Sequence, residues 1–203
     1  ESNHKYNTTS YTKIDPDFGD KEEMKRLVEE AHKLGIRVMI DAVFNHCGTQ
    51  FFAWQDVLLL GKKSLYYNWF YINSWPIENG DIKTKDGRYY SFAFEANMPK
   101  LNTNEPAVQK YLIDRCNEWI NEWKIDGIRF DVGNEIAHSF VKRIHRELKA
   151  LKPDLFLLGE IWTDSGEWLL GDEYDSVMNY PFLESINNFW IDYKQTSKEL
   201  MYS

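Results

Sequence analysis

Apolar positions along this chain follow two periods. Met24, Leu27, Val28, Ala31 and Leu34 recur at helical spacing. Asp20 stands before them with Glu23 three residues on, as in a capping box, and Gly35 ends the run. A second helical face holds Val108, Tyr111, Leu112, Cys116, Trp119, Ile120 and Trp123, opened by Pro106. A third holds Ala137, Phe140, Val141, Ile144, Leu148 and Leu151, closed by Pro153. Between these faces lie short apolar runs at 36–41, 127–131 and 155–160 that read as buried strands, and 176–179 reads as a fourth. Pro181 opens a last helix through Phe182, Leu183, Ile186, Phe189, Trp190 and Tyr193, while the polar, turn-rich residues 1–19 read as a loop. Strands separated by helices predict βαβ units and a parallel sheet. Four strands fit either an open sheet or the middle of an eight-stranded barrel, which takes about 250 residues.

The segment 47–105 breaks this alternation. It carries thirteen of the chain's rings, from Phe51 and Trp54 to Phe92 and Phe94. A structureless loop of that length is improbable in a compact domain, so a small inserted subdomain is expected. Most of its rings should build its own core, and a few should present flat faces to a sugar.

Composition narrows the function. The chain has 203 residues, a net charge of -8 and a pI near 5.2, which argues against nucleic acid as a partner. No apolar stretch is long enough to cross a bilayer, so no membrane partner is expected. Cys47 and Cys116 make neither a disulfide framework nor a metal spacing, which favours a reducing, cytoplasmic location. Cys116 reads as core. The opening ESNHKYNTTSY reads as the middle of a loop, so a piece of a longer protein is expected.

Three of the apolar runs end on a carboxylate: Asp41, Asp131 and Glu160. Acids gathered at the C-terminal ends of parallel strands make an active-site layout. Single acids there often cap loops or pair with Arg; three on consecutive strand ends, with Arg129 and His46 beside them, favour function. Neighbouring strands lie about 4.8 Å apart, so Asp131 and Glu160 can approach the roughly 5–5.5 Å separation of a retaining glycosidase. Alternation puts Arg129 on the face of Asp131, which predicts an ionised Asp131 acting as nucleophile. Leu157, Leu158, Ile161 and Trp162 around Glu160 predict the neutral form of a general acid. Asn45 and His46 lie on the same rim, where His46 can meet a substrate hydroxyl; as metal ligands, Asp41, Asn45 and His46 form a weak pattern.

The segments DAVFNH (41–46), MPKLN (98–102), GIRFDVGNE (127–135) and GEIW (159–162) occur together and in order. With them the chain resembles the alpha-amylase superfamily of glycoside hydrolases, and within it the neopullulanase, cyclomaltodextrinase and maltogenic amylase group; residues 4–20 and GDEYDSVMNYPF (171–182) are similar to the same group. The resemblance implies an α/β fold, a partial (β/α)8 TIM barrel with a small subdomain inserted after the third strand. Residues 1–46 and 106–203 would belong to the barrel and 47–105 to the insertion. It implies Asp131 as nucleophile, Glu160 as acid/base, Arg129 in contact with nucleophile and substrate, His46 and Tyr6 lining the subsite of the attacked glucose, and Trp162 as a ligand contact. Asp41 and Asn45 would shape the site. The substrate would be an oligosaccharide or polysaccharide, cleaved at α-1,4 and in some cases α-1,6 bonds of cyclodextrins, pullulan or starch. Transglycosylation, or a non-catalytic amylase-like domain, are the alternatives.

There are departures. The family's third acid is an Asp within a later His-Asp pair, beyond this chain, so the isolated piece is expected to be inactive. Asn134 and Glu135 replace the Lys-His of classical alpha-amylases, whose His carbonyl binds calcium, and Asn7 and Ser10 stand where Asp is usual. No cofactor is therefore expected, with calcium as the exception to test. The group often dimerises, so the parent is expected as a homodimer.

Overall fold

The structure, a computed structural model, describes residues 2–77, 87–194 and 196–201. Helix α1 spans Lys21–Lys33 and is capped by Asp20, whose side chain accepts from the Glu23 N–H at 2.9 Å. Its C-terminal end closes through Gly35 at φ 74°, with the Ile36 N–H donating back to the Ala31 carbonyl. That closure takes residues 36–38 out of the expected strand. The Val38 N–H is instead given to the Asp126 carboxylate at 2.8 Å, and β1 starts only at Met39 and runs to Ala42.

Three further strands follow: β2 at Gly127–Phe130, β3 at Phe156–Gly159 and β4 at Ser176–Val177. They form one parallel sheet in the order β1-β2-β3-β4. Asn179 leaves the strand because its side chain caps the next helix, accepting from the Phe182 N–H. Helix α2 (Phe52–Leu60) lies in the insertion. Helix α3 (Pro106–Glu118) precedes β2 and α4 (His138–Leu151) precedes β3. Helix α5 (Tyr180–Ile186) follows β4, and α6 is the short Ser197–Met201. Each run of sequential parallel neighbours with a helix between is the repeating unit of a (β/α)8 barrel.

The core is a single apolar cluster. Ile128, Phe130 and Leu157 of the sheet, Leu112 and Cys116 of α3, and Phe140, Val141 and Ile144 of α4 all belong to it. The buried rings of the insertion join the same cluster instead of forming a core of their own, while Phe52, Trp75, Tyr90 and Phe94 are exposed. Phe51, Trp54, Trp69, Phe70 and Tyr89 are buried, and Phe51 meets Tyr11 and Tyr111 edge-on at 5.6 and 6.0 Å. Antiparallel bridges His46↔Lys100, Phe70↔Leu101, Ser91↔Pro99 and Ile72↔Tyr89 tie the insertion's two ends together. The last expected apolar face differs as well. Phe182, Leu183 and Trp190 are exposed, and only Ser185 of α5 is buried, because no described element packs against that side.

Candidate active site

The strand ladder carries the two central acids to one rim. The Asp131 N–H continues the β1–β2 ladder onto the Ala42 carbonyl at 3.1 Å, and the Glu160 N–H continues β2–β3 onto the Phe130 carbonyl at 3.0 Å. Asp131 and Glu160 therefore stand one residue past the C-terminal ends of adjacent strands. Both are buried.

Arg129 joins them. Its register partner on β1 is Asp41, and its Nη1 donates to both Asp41 oxygens, at 2.7 and 2.9 Å, and to Asp131 Oδ1 at 3.1 Å. Its Nη2 lies 2.9 Å from Glu160 Oε1. One guanidinium thus touches all three acids. Tyr6 joins the set from the N-terminal loop, its hydroxyl donating to Asp41 Oδ2 at 3.0 Å.

The backbone after Asp131 is bent to serve Glu160. Val132 sits at φ 48°, ψ 44°, a left-handed conformation that is rare and costly for a β-branched residue. The turn aims the Val132 N–H at Glu160 Oε2, at 2.8 Å. Gly159 lets Tyr174 in behind: a Cβ there would run into the buried Tyr174 ring. Residue 180 completes the set, its hydroxyl donating to Glu160 Oε1 at 3.0 Å.

These partners leave Asp131 above its ordinary value and turn round the neutral form expected for Glu160. Burial pushes the Asp131 carboxyl up to about 6; Arg129 pulls it down, while the Glu160 and Asp41 charges add to the rise. Burial outweighs the pull of Arg129, so Asp131 stays above the usual carboxylate range. Burial also pushes Glu160 up, but the Val132 N–H, the Trp162 indole, Arg129 and the Tyr180 hydroxyl outweigh it and hold Glu160 below its ordinary value. The donors at its carboxylate, Trp162 among them, set its charge, and not the apolar residues beside it in sequence.

His46 is buried and its pKa falls to about 4 because burial disfavours the cation. It is neutral at physiological pH. Since the Tyr6 carbonyl can only accept, Nε2 carries the proton toward it at 2.9 Å, and Nδ1 takes the Asn45 amide at 3.4 Å. The imidazole stacks on Phe92 at 4.7 Å with an interplanar angle of 4°. Phe92 in turn lies 6.3 Å from the exposed Trp162 ring. Phe92 and Tyr180 were not singled out in the sequence; the MNYPF stretch was the one signal for Tyr180.

The residues do not fit calcium. Asn45 Oδ1 is buried without a hydrogen-bond partner, but calcium takes six to eight oxygens. Asp41 is engaged by Arg129 and Tyr6, and His46 by Tyr6. Glu135 holds the Lys100 ammonium at 2.5 Å, a built-in cation on this rim. Among the described residues no three His, Cys, Asp or Glu side chains cluster as ligands.

A parallel β/α ladder with carboxylates and an arginine at its C-terminal rim has the layout of part of a (β/α)8 barrel. The alpha amylase catalytic-domain family matches residues 1–201, and the chain belongs to that family. A cyclomaltodextrinase of Geobacillus thermopakistaniensis is 49% identical over 198 residues, covering 98% of this chain and 33% of its own. The intracellular maltogenic amylase of Bacillus subtilis strain 168 is 48% identical over 191 residues, covering 94% of this chain and 31% of its own. A solved cyclomaltodextrinase superposes with a TM-score of 0.90 at 47% identity, over 98% of this chain and 34% of its own. The chain spans about a third of the length of these relatives. Among the described residues no helix is long and apolar enough to cross a membrane.

Proposed function

We propose that these residues form the central part of the catalytic barrel of a retaining glycoside hydrolase. It cleaves α-1,4 bonds, with α-1,6 bonds as a second class, in cyclodextrins, pullulan or starch oligosaccharides. The observation that carries the reading is the Arg129 fork: Nη1 on Asp131 and Nη2 on Glu160, with both acids at neighbouring strand ends. Family membership and the relatives' names support the substrate class.

Asp131 attacks the anomeric carbon and Glu160 protonates the departing glycosidic oxygen. Glu160 then takes a proton from the water that releases the sugar. Arg129 keeps charge on the acids and contacts substrate. His46 and Tyr6 line the subsite of the attacked glucose, backed by Phe92, and Trp162 offers its exposed ring to a neighbouring sugar. Asp41 and Asn45 hold Arg129 and His46 in place. Residues 1–46 and 106–203 belong to the barrel and 47–105 to the inserted subdomain, a division that the four antiparallel bridges support. No metal takes part. The location is cytoplasmic, in keeping with two buried free cysteines and an intracellular relative. The parent is a homodimer.

The test uses the full-length protein. A fluoro-sugar inhibitor of the mechanism-based type is expected to label Asp131, as mapped by peptide mass. Glu160→Gln is expected to lose at least about a hundredfold on cyclodextrin and far less on an aryl glycoside with a good leaving group. Label elsewhere, or equal losses on both substrates, would sink the assignment. Chelation of divalent metals is expected to leave the rate unchanged.

A further inference from the structure

Tyr174 reaches the strand ends of both acids from behind. It is 2% exposed, and its ring lies 5.6 Å from that of Phe130, the residue before Asp131. Its hydroxyl donates to the carbonyl of Gly133, in the turn after Asp131, at 3.3 Å. Burial pushes the phenol up, so the hydroxyl keeps its proton to donate. The same ring packs on Gly159, the residue before Glu160. Its neighbours anchor it. The Asp175 N–H donates to the Leu157 carbonyl at 2.9 Å, and the Asp175 carboxylate takes the Leu157 N–H at 2.7 Å. Glu173 is 1% exposed; its carboxylate takes His138 Nδ1 at 2.9 Å and its carbonyl takes His145 Nδ1 at 2.7 Å. Strand β3 and helix α4 thus carry Tyr174 between them.

The loops of the two acids meet over this ring. A Cβ on Gly133 would stand 3.0 Å from the Tyr174 hydroxyl oxygen and 3.2 Å from both the backbone N and O of Glu160. The turn after Asp131 therefore rests on the Glu160 backbone with no side chain between them. In that turn the Val132 N–H meets Glu160 Oε2 at 2.8 Å. Val132 stands at φ 48°, and such a backbone persists only where its surroundings over-determine it. The Gly133 carbonyl closes the turn, accepting from the Ile136 N–H at 3.4 Å and from Tyr174. We propose that Tyr174 is a positioning residue: a wedge that holds the Asp131 turn against the Glu160 backbone and so fixes where the Glu160 carboxylate stands relative to Asp131. The inference rests on the acid/base reading of Glu160 given above. The two acids depend on the wedge unequally. Asp131 keeps its N–H on the Ala42 carbonyl of β1 at 3.1 Å and its contact with Arg129 at 3.1 Å. Without the wedge, Glu160 loses the packing on Gly159 and the support of its Val132 donor. Removing Tyr174 therefore displaces the acid/base more than the nucleophile.

The experiment compares Tyr174→Leu and Tyr174→Phe in the full-length protein. It reads kcat and KM per folded molecule on cyclodextrin and on an aryl glycoside with a good leaving group, and backbone amide exchange by peptide mass. Leu removes the ring. Its kcat on cyclodextrin is expected to fall about ten- to a hundredfold, the range for a group displaced by about 1 Å. The loss is expected to be several-fold smaller on the aryl glycoside, whose departure needs little help from an acid, with KM within about twofold of wild type on both. Phe keeps the ring and loses only the hydroxyl, so a loss of about two- to fivefold on cyclodextrin is expected, again larger than on the aryl glycoside. Exchange is expected to quicken in the peptide covering 131–136 and to stay unchanged at 39–42. A residue that only fills the core would lower stability and speed exchange throughout while leaving kcat per folded molecule unchanged. That result, or equal losses on both substrates, overturns the inference. Should the Leu variant not fold, the ratio of losses in the Phe variant decides by itself. Glu160→Gln separates the two readings. If it loses equally on both substrates, the acid/base assignment falls and this inference with it. If it discriminates while the Tyr174 variants do not, only the role of Tyr174 falls.

Discussion

Asp131 is a buried acid whose pKa is raised to about 6, against about 3.8 in the unfolded chain. The sign follows from linkage: between those values the folded chain binds more protons, so this group lowers stability as pH rises, with its full penalty present above about pH 6. Asp131→Asn removes that penalty together with one Arg129 contact. It is expected to stabilise the protein by about 1–2 kcal/mol at pH 8 and by little at pH 4, read from urea unfolding at both pH values. An equal effect at both would show that the carboxyl is not perturbed. The three acids and Arg129 were legible in sequence because strand alternation and strand ends fix where such side chains point. The charge balance was not. It depends on a Val132 N–H turned by a left-handed residue, which leaves no local pattern, and on a tyrosine twenty residues beyond Glu160, whose MNYPF stretch does not say which side chain it meets.

At the scale of elements, the sheet separates two uses of carboxylates. Asp126, at the N-terminal end of β2, accepts from the Val38 N–H, His32 and Lys152. Burial alone would raise it, yet these donors hold it below its ordinary value. Asp175 does similar work before β4, taking the Leu157 N–H and Lys149. These acids sit opposite the rim that carries Asp131 and Glu160, on the face that holds a barrel together. Asp126→Ala is therefore expected to cost about 1–3 kcal/mol in unfolding while leaving kcat per folded molecule unchanged. Its contribution is present above about pH 4 and lost as pH falls through the depressed folded value, so the variant is also expected to flatten the acid side of the stability curve. A fall in kcat with normal stability would move Asp126 to the working face. Helix ends and strand order were readable because capping residues and apolar periods are local. The late start of β1 was not, since a distant carboxylate captures the Val38 N–H.

At the scale of the whole molecule, apolar surface remains open where the periods promised burial. Leu27 and Leu34 of the first helical face are 59% and 77% exposed, and Phe182, Leu183 and Trp190 stand out on the far side. Met39 and Phe156 are exposed beside Arg37, Val38 and Asp126 at the foot of the sheet, around a cavity of about 310 Å³. The accessible surface is 11845 Å², whereas a compact monomer of 24.2 kDa exposes about 10,000 Å². Strands β1 and β4 each have one edge without a described partner. Unpaired edges beside apolar patches favour association. The 203-residue chain on its own is thus expected to self-associate in a concentration-dependent way, seen by sedimentation velocity, and to bind a hydrophobic dye. Lys or Glu placed at both Leu27 and Phe182 is expected to weaken both signals without loss of secondary structure, because neither side chain supports the core. A chain that stays monomeric and dye-silent at high micromolar concentration would mean that these faces are closed in solution by a rearrangement of α1 and α5.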